Sequence, residues 1–287
     1  MSRVAIFAHF DKNNKIKKYV IYYIKELQKI AEKIIFVSDC NLSEEELDKI
    51  KQYVFYSIAY KHNEYDFGSY KRGFLFAKKS GLLEGCDELI FANDSCYGPI
   101  YPFEKVWNNY CTKADFWGIN INQKKHPLHV QSFFLVFKPK VFYSECFNNF
   151  MLSIKQEKNK EDIIQKYEIG LSQKLIKQGF SVGALFQETI VMHYSTKLLY
   201  FRKANPLIKI SVFRNLSKMF VYLTCCFLFS KYKIKYPKSC IIENIDCKYP
   251  NFQDLIKSLK FLYINIHKQC IRNDKLENVI PFMIDSN

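Results

Sequence analysis

Val4-Ala5-Ile6-Phe7-Ala8-His9-Phe10 is an apolar run broken only by His9, and an amphipathic stretch from Lys15 to Glu32 follows it. A second run, Ile34-Ile35-Phe36-Val37-Ser38, and a second amphipathic stretch, Ser43 to Gln52, repeat the pattern. Short runs that stay apolar at nearly every residue mark strands buried on both faces, and the helical period between them completes a βαβα rhythm. Within it, Ser43-Glu44-Glu45-Glu46 matches a capping box, with Ser43 accepting an orphan amide and Glu46 reaching back, which fixes a helix start. Val54 to Ala59 reads as a third strand, Ser69 to Ser80 as a helix, and Glu88 to Asn93 as a fourth strand. Parallel strands need crossover helices, so an α/β sheet is expected.

Beyond Pro99 the pattern changes: Phe116 to Ile119 and Ser132 to Phe137 read as strands around the polar loop Asn120 to Pro127, a length that is often functional. Lys155 to Gln178 returns to helical spacing, Phe180 to Phe186 reads as a strand, and the chain past Asn205-Pro206 reads as mostly helical. All nine glycines lie between Gly68 and Gly183, and the residues from Phe201 onward carry 15 Lys and Arg against 6 Asp and Glu. That shift divides the chain into a first domain, residues 1–204, and a basic C-terminal region, residues 205–287.

The 287 residues are 48% hydrophobic and 17% aromatic, with 43 Lys and Arg against 28 Asp and Glu. Disorder, collagen repeats and a disulfide miniprotein are excluded by those proportions. A net charge of +15 implies attraction to phosphates, whether of a nucleotide, a nucleic acid or anionic lipid. The ten cysteines include no C-x-x-C pair, which suits a reduced, cytosolic chain with buried thiols. The N-terminal run is too short for a secretory signal and reads as the first strand. Met219 to Phe229, about 11 apolar residues, falls short of the roughly 20 that span a bilayer.

Neither G-x-G-x-x-G after the first strand nor G-x-x-x-x-G-K-[ST] occurs, which demotes dinucleotide enzymes and P-loop NTPases. Open α/β sheets instead collect ligands at the carboxyl ends of their strands, and three of those ends are polar here. The first strand exits through Ala8-His9-Phe10-Asp11. The third is followed by Asn63-Glu64-Tyr65-Asp66-Phe67-Gly68-Ser69-Tyr70-Lys71-Arg72-Gly73-Phe74. There acids such as Asp66 suit sugar hydroxyls, Lys71 and Arg72 suit phosphate, and glycine permits close backbone approach; a capped helix with solvated charges is the alternative. The fourth strand ends in Asn93-Asp94-Ser95, oxygen ligands of the kind that Mg²⁺ or Mn²⁺ takes on a diphosphate, although the same residues make ordinary Asx turns.

Glu168, early on an amphipathic helix whose Leu171 and Leu175 face the core, suits a general base or a plain cap. His193 follows a strand-like segment and suits phosphate, metal or simple packing. His126, His129 and Gln131 flank the strand at Phe133 as candidate acceptor contacts.

Taken in order, the motifs Ala8-His9-Phe10, Asp66-Phe67-Gly68-Ser69-Tyr70-Lys71-Arg72-Gly73, Phe91-Ala92-Asn93-Asp94-Ser95, Asp115-Phe116-Trp117-Gly118, Gln131-Ser132-Phe133-Phe134 and Tyr167-Glu168-Ile169-Gly170-Leu171-Ser172 resemble the rhamnan synthesis protein F family. That family comprises glycosyltransferases of bacterial surface polysaccharides, and the resemblance covers about residues 3–210. It implies a GT-A-like nucleotide-binding domain with a mixed, mostly parallel sheet flanked by helices, joined to a mainly helical basic C-terminal region. It further implies transfer of a sugar from a nucleotide-sugar donor to a growing glycan such as lipopolysaccharide, O-antigen or capsule.

On that basis His9, Asp66, Lys71, Arg72, Asn93, Asp94 and Ser95 belong to the donor site, His129 and Gln131 to the acceptor side, and Glu168 is the base of an inverting transfer. Asn93-Asp94-Ser95 stands where GT-A enzymes carry Asp-x-Asp, with one acid in place of two. A divalent cation on Asp94 and His193, or the basic side chains alone, would balance the leaving diphosphate. The lysine-bracketed run Lys218 to Lys235 suits the anionic cytoplasmic face of the inner membrane, where lipid-linked glycan acceptors sit, or a core helix with lysine ends.

Two rival readings stand beside the transferase. A nucleic-acid-binding protein would use the charge with the 20 Tyr and 26 Phe, but no RNP, zinc-finger or helix-turn-helix signature is present and no nucleic-acid partner is expected. A catalytically inactive scaffold of a glycan-assembly complex is the other.

Overall fold

The computed structural model describes residues 1–109, 113–122, 127–187, 205–210, 235–237 and 240. Strands β1 (Arg3–His9), β2 (Lys33–Ser38), β3 (Tyr56–Ala59) and β4 (Glu88–Asn93) alternate with helices α1 (Lys18–Leu27), α2 (Glu44–Asp48) and α3 (Tyr65–Lys79). After them come β5 (Cys96–Tyr97), α4 (Phe103–Asn109), β6 (Phe116–Asn122), β7 (His129–Val130) and β8 (Phe134–Phe137). Helices α5 (Pro139–Phe142), α6 (Glu145–Ser153), α7 (Lys160–Ile163) and α8 (Gly170–Lys177) precede β9 (Val182–Gln187) and β10 (Ile208–Lys209).

The main sheet runs β3-β2-β1-β4-β8-β6-β7, with β9 on β6. Pairings β1–β2, β1–β4, β2–β3 and β6–β9 are parallel. Those of β8 with β4 and with β6, and of β7 with β6, are antiparallel. The sheet is therefore mixed and mostly parallel with helices on its faces, as expected: the strands of the βαβα run are parallel, and β8 inserts reversed between β4 and β6.

Apolar side chains pack both faces. Phe7, Phe36, Tyr23 and Phe134 are buried on one side, and Phe67, Tyr70, Phe91 and Phe147 on the other. Each buried side chain of this size is worth about 1.5–3 kcal/mol of transfer free energy. The chain runs outward from β1 to β2 and β3 and then returns to lay β4 on the opposite side of β1. In open α/β sheets ligands bind at such a reversal, here at the carboxyl ends of β1 and β4.

Local chemistry departs from expectation at three places. Ser43 accepts the Glu46 amide as the capping box requires, but the Glu46 carboxylate turns to the Ile16 amide (2.8 Å), Lys15 (3.0 Å) and Lys49 (2.7 Å) and so clamps the chain entering α1. Helix α3 starts at Tyr65, earlier than Ser69; its first residue is itself left-handed (φ 56°), as is Asn63 (φ 59°) two residues before it. The expected single helix Lys155 to Gln178 begins at Lys160, capped by Asn159, and widens into a π-helical segment over Ile164–Ile169.

Burial pushes the Glu46 carboxyl up, but Lys49, the Ile16 amide and Lys15 outweigh it and hold the group at about 2, against an ordinary 4.5. A carboxyl depressed by folding adds stability that is complete above its unfolded value and is lost as pH falls from about 4.5 towards 2. Its contribution is on the order of 2 kcal/mol after discounting for the partly exposed lysines. Urea melts should therefore show wild type above Glu46→Gln at pH 7 and the gap closing by pH 2.5; a gap independent of pH would refute the clamp.

Residues beyond 204 that the structure describes join the same core. Asn205, Leu207 and Ile208 are buried, as are Tyr236 and Cys240. Strand β10 pairs antiparallel with β5, the Ile100 amide donates to Pro206 O (2.7 Å), and the Ile210 amide to Ser95 O (2.9 Å). Gly98 lets that segment approach, since a Cβ there would stand 2.5 Å from Pro206 O. Cys40, Cys86, Cys96 and Cys240 are buried free thiols and Cys146 a half-buried one. Among the described residues no helix is long and apolar enough to cross a membrane. His126, His193 and the run 218–234 lie outside the described residues.

Candidate functional site

Four strand ends deliver the polar side chains. From β4, Asn93 is buried, Asp94 half-buried and Ser95 exposed. Asn93 Nδ2 donates to Asp66 Oδ2 at 2.9 Å, while its Oδ1 accepts from the Ser95 amide (3.1 Å) and hydroxyl (2.5 Å). An Asx turn therefore does form, and the same side chain also ties α3 to β4. Asp94 Oδ2 accepts from the Phe10 amide at 2.9 Å and stands 3.9 Å from His9 Nε2. His9 is buried and shares a hydrogen bond of 2.9 Å between Nδ1 and Ser38 Oγ. Asp94 thus sits at the β1–β4 boundary, where the strand order reverses.

Electrostatics join the acids into one group. Burial pushes the Asp94 carboxyl up to about 7, helped by the charges of Asp66 and Asp11 and opposed by the Phe10 amide. For Asp66 burial and then the charge of Glu168 raise the carboxyl to about 6, against the Phe67 amide and Asn93. His9 is lowered to about 4 by burial and is neutral near pH 7. Carboxyls displaced towards neutrality at the ends of parallel strands are what a charged ligand or a proton-transfer step needs.

Glu168 lies in the π-helical segment, at mid-helix, so the dipole of a first turn does not act on it and that expectation is corrected. Its Oε2 instead accepts from the Ser132 amide (2.9 Å) and hydroxyl (2.5 Å), and Oε1 stands 3.8 Å from His129 Nε2. Single π turns recur where a side chain must be re-aimed at a site. His129 Nδ1 meets Pro127 O at 2.8 Å, and Gln131 Oε1 accepts from Asn120 at 3.3 Å; both residues are buried, His129 beside Glu168 and Gln131 on the connection between β7 and β8.

Lys71 and Arg72 are not brought to the acids. Lys71 Nζ donates to Ile154 O (2.6 Å), and Arg72 pairs with Glu64 (2.9 Å), Gly68 O (2.9 Å) and Tyr60 Oη (2.6 Å). The glycines beside them serve packing: a Cβ on Gly73 would stand 2.4 Å from Ile6 of β1, and one on Gly68 2.2 Å from Glu64 Cβ. Close approach is therefore to protein, at the helix entry and against the sheet.

Asp39, one residue past β2, went unread in the sequence, although the strand-end rule that selects Asp94 selects it too. Its Oδ1 accepts from the amides of His62 (2.6 Å) and Asn63 (2.7 Å), and its Oδ2 from that of Tyr65 (3.3 Å), which holds the left-handed loop that presents Asp66. Asp39, His62 and Ser69 superficially resemble a nucleophile triad. However, His62 Nδ1 accepts the Glu64 amide (3.2 Å), so Nε2 carries the proton towards Ser69 Oγ (3.0 Å), the reverse of a base. Ser132, the partner of Glu168, is a second residue not singled out beforehand.

With that geometry in view, the model of rhamnan synthesis protein F matches residues 34–279. The chain belongs to the rhamnan synthesis protein F family. The match begins after β1 and runs through the basic C-terminal region, which the motif resemblance does not reach. Among curated relatives, the uncharacterized protein y4gN of Sinorhizobium fredii (strain NBRC 101917 / NGR234) is 27% identical over 53% of this chain and 40% of its own length. The virulence protein VirA of Vibrio anguillarum (strain ATCC 68554 / 775) is 28% identical over 42% of this chain and 39% of its own. This chain thus spans about two fifths of the length of the curated relatives it matches. Among solved structures, a putative nucleotide-diphospho-sugar transferase from Desulfovibrio desulfuricans G20 aligns with 81% of this chain and 99% of its own, at 15% identity and a TM-score of 0.39.

Proposed function

We propose that this rhamnan synthesis protein F family member is a glycosyltransferase that moves a sugar from a nucleotide-sugar donor to a bacterial surface glycan, with a GT-A-like first domain. The observation that carries the reading is the acid group at the β1–β4 reversal: Asp94 and Asp66, linked through Asn93, with Glu168 close enough to raise Asp66. A donor diphosphate would lie over Asp94, and the acceptor would enter beside Glu168, His129 and Gln131. Glu168, held by Ser132, would take the acceptor hydroxyl proton as the glycosidic bond to diphosphate breaks, giving inversion.

The donors present fit a hard dication. Two half-buried carboxylates, raised by burial and by neighbouring acids, Glu168 acting on Asp66 and Asp66 with Asp11 on Asp94, ionise more readily beside Mg²⁺ or Mn²⁺, and such ions keep several waters. Asp94 and Asp66 would hold it, and when bound it would offset the charge growing on the leaving diphosphate. Among the described residues no group of three or more His, Cys, Asp or Glu side chains is arranged to hold a metal. The set is accordingly two acids completed by water and donor oxygens, with His193 as a further candidate. Lys71 and Arg72 remain candidates for the donor only if they leave their present partners. The basic C-terminal region would bring the enzyme to an anionic cytoplasmic membrane surface carrying lipid-linked acceptors.

A thermal-shift panel of UDP, GDP, CMP and dTDP sugars with Mn²⁺ tests the reading, because a ligand at 100 times its Kd adds about 2.7 kcal/mol. One donor should raise the midpoint of wild type and leave Asp94→Asn unmoved. Without ligand the variant should melt no lower than wild type at pH 8. Asp94 ionises at higher pH in the folded chain than in the unfolded one, so above about 7 its charge costs stability that Asn does not. No response to any donor, with salt-sensitive RNA binding, would favour the nucleic-acid reading instead.

A further inference from the structure

The buried ring of His129 is held on one side by a group that can only accept, because Nδ1 lies 2.8 Å from Pro127 O. A carbonyl carries no proton, so Nδ1 is the protonated nitrogen. A neutral His129 then turns the lone pair of Nε2 outward, and that atom stands 3.8 Å from Glu168 Oε1. The carboxylate–histidine pairs of hydrolytic triads and zinc sites run the other way, with the imidazole donating an N–H to the acid. Here two proton acceptors face each other, and one added proton joins them.

The surroundings fix the pair in that arrangement. Glu168 Oε2 is taken by the Ser132 amide and hydroxyl, which leaves Oε1 towards His129. Helix α8, which continues the π-helical segment carrying Glu168, grips the chain on both sides of the histidine: Ser172 Oγ accepts the Val130 amide at 3.1 Å, and Gln173 Nε2 donates to Leu128 O at 2.6 Å. Ring and carboxylate thus hang from one frame. The charge of Glu168 also reaches Asp66, so a cation formed on His129 would arise where negative charge is concentrated.

We propose that His129 is the proton partner of Glu168, a positioning residue that draws from its carboxyl the proton taken from the acceptor hydroxyl; this deepens the base assignment above and rests on it. The acceptor O–H bond breaks as its oxygen joins the anomeric carbon, and the proton moves to Oε1. Glu168 then gives it to the Nε2 lone pair, leaving a carboxylate and an imidazolium whose Nδ1–H still meets Pro127 O. An imidazole ordinarily holds a proton about two pKa units more tightly than a carboxylate, which favours the second transfer. Catalytic contacts often stand this far apart before substrate arrives and shorten in the reacting complex. The proton returns through Glu168 to water once product leaves, so the cycle closes without another reactant.

NMR titration of the full chain labelled with ¹⁵N at histidine reads the pair without any substrate. Neutral His129 should carry its proton on Nδ1, and Glu168→Gln should lower its titration midpoint by about one pH unit, because the anion beside the ring is lost. In the transfer assay His129→Asn, whose amide keeps a donor for Pro127 O, should turn over about tenfold or more slowly with donor KM within twofold. Added to Glu168→Gln it should cost nothing further, since it acts through that carboxylate. A neutral ring protonated on Nε2, a midpoint unmoved by Glu168→Gln, wild-type turnover in His129→Asn, or a double variant slowed by both factors would overturn the pairing and leave Glu168 as the base. Should His129→Asn not fold, the titration of wild type against Glu168→Gln decides alone. A wild-type chain that transfers sugar from none of the UDP, GDP, CMP and dTDP donors would overturn the donor reading, and this inference with it, whatever the titration shows.

Discussion

Replacing Glu168 by Gln is expected to lower turnover by on the order of 10² to 10⁴ while donor affinity and melting midpoint stay near wild type. The acceptor hydroxyl has a pKa far above 7, so attack without a base leaves a proton on the new glycosidic oxygen. Gln keeps the length of the side chain and an oxygen that accepts the Ser132 amide, so the packing of the π-helical segment against β7 and β8 survives. What disappears is the negative charge and the capacity to take a proton. A single-turnover assay with saturating donor isolates that step, and NMR of the early product should show the anomeric configuration inverted. Turnover within tenfold of wild type, or a retained configuration, would remove Glu168 from the reaction.

Gly118→Ala is expected to cost about 3 kcal/mol or more and to lower the melting midpoint by roughly 6–12 °C. Gly118 lies in β6 between β8 and β9, and an added Cβ would stand 2.3 Å from Val130 Cγ1 and 2.5 Å from Phe134 O. Valine can rotate, but the carbonyl is part of the ladder, so relief requires β8 to separate from β6. Because Ser132 and Gln131 lie on the connection between β7 and β8, the displacement would also reach the partner of Glu168. A midpoint within 2 °C of wild type would show that the strands accommodate the methyl group and that this contact does not govern register.

Much of this architecture is legible in the chain because strands buried on both faces need no alternation: β1, β2 and β4 appear as short apolar runs bounded by helical spacing. The polar residues that end β1 and β4 are legible for the same reason, since the sheet rule fixes which end of a parallel strand faces ligand. Antiparallel insertion of β8 is not, because pairing direction leaves no mark on a four-residue run such as Phe134–Phe137. Lys71 and Arg72 show a different limit. Five and six residues beyond Asp66, at 3.6 residues per turn, they are rotated about 140° and 240° from it, so nearness in sequence sends them to Ile154 and Glu64. Helix α3 starts early because Asp39, remote in sequence, binds the amides that hold Tyr65 left-handed, a tertiary cause that no window around Tyr65 contains. Glu46 fits half a capping box and is then captured by Ile16, whose amide is a stronger claim than the motif.

Ser95 is fastened from two directions, by Asn93 two residues upstream in the turn and by the amide of Ile210, more than a hundred residues later. The turn that carries Asp94 is consequently stitched by a late-arriving thread. A ribosome that has emitted only the first 204 residues has not yet supplied it, and a fragment trimmed at that point would carry Asp94 on a seam left half sewn.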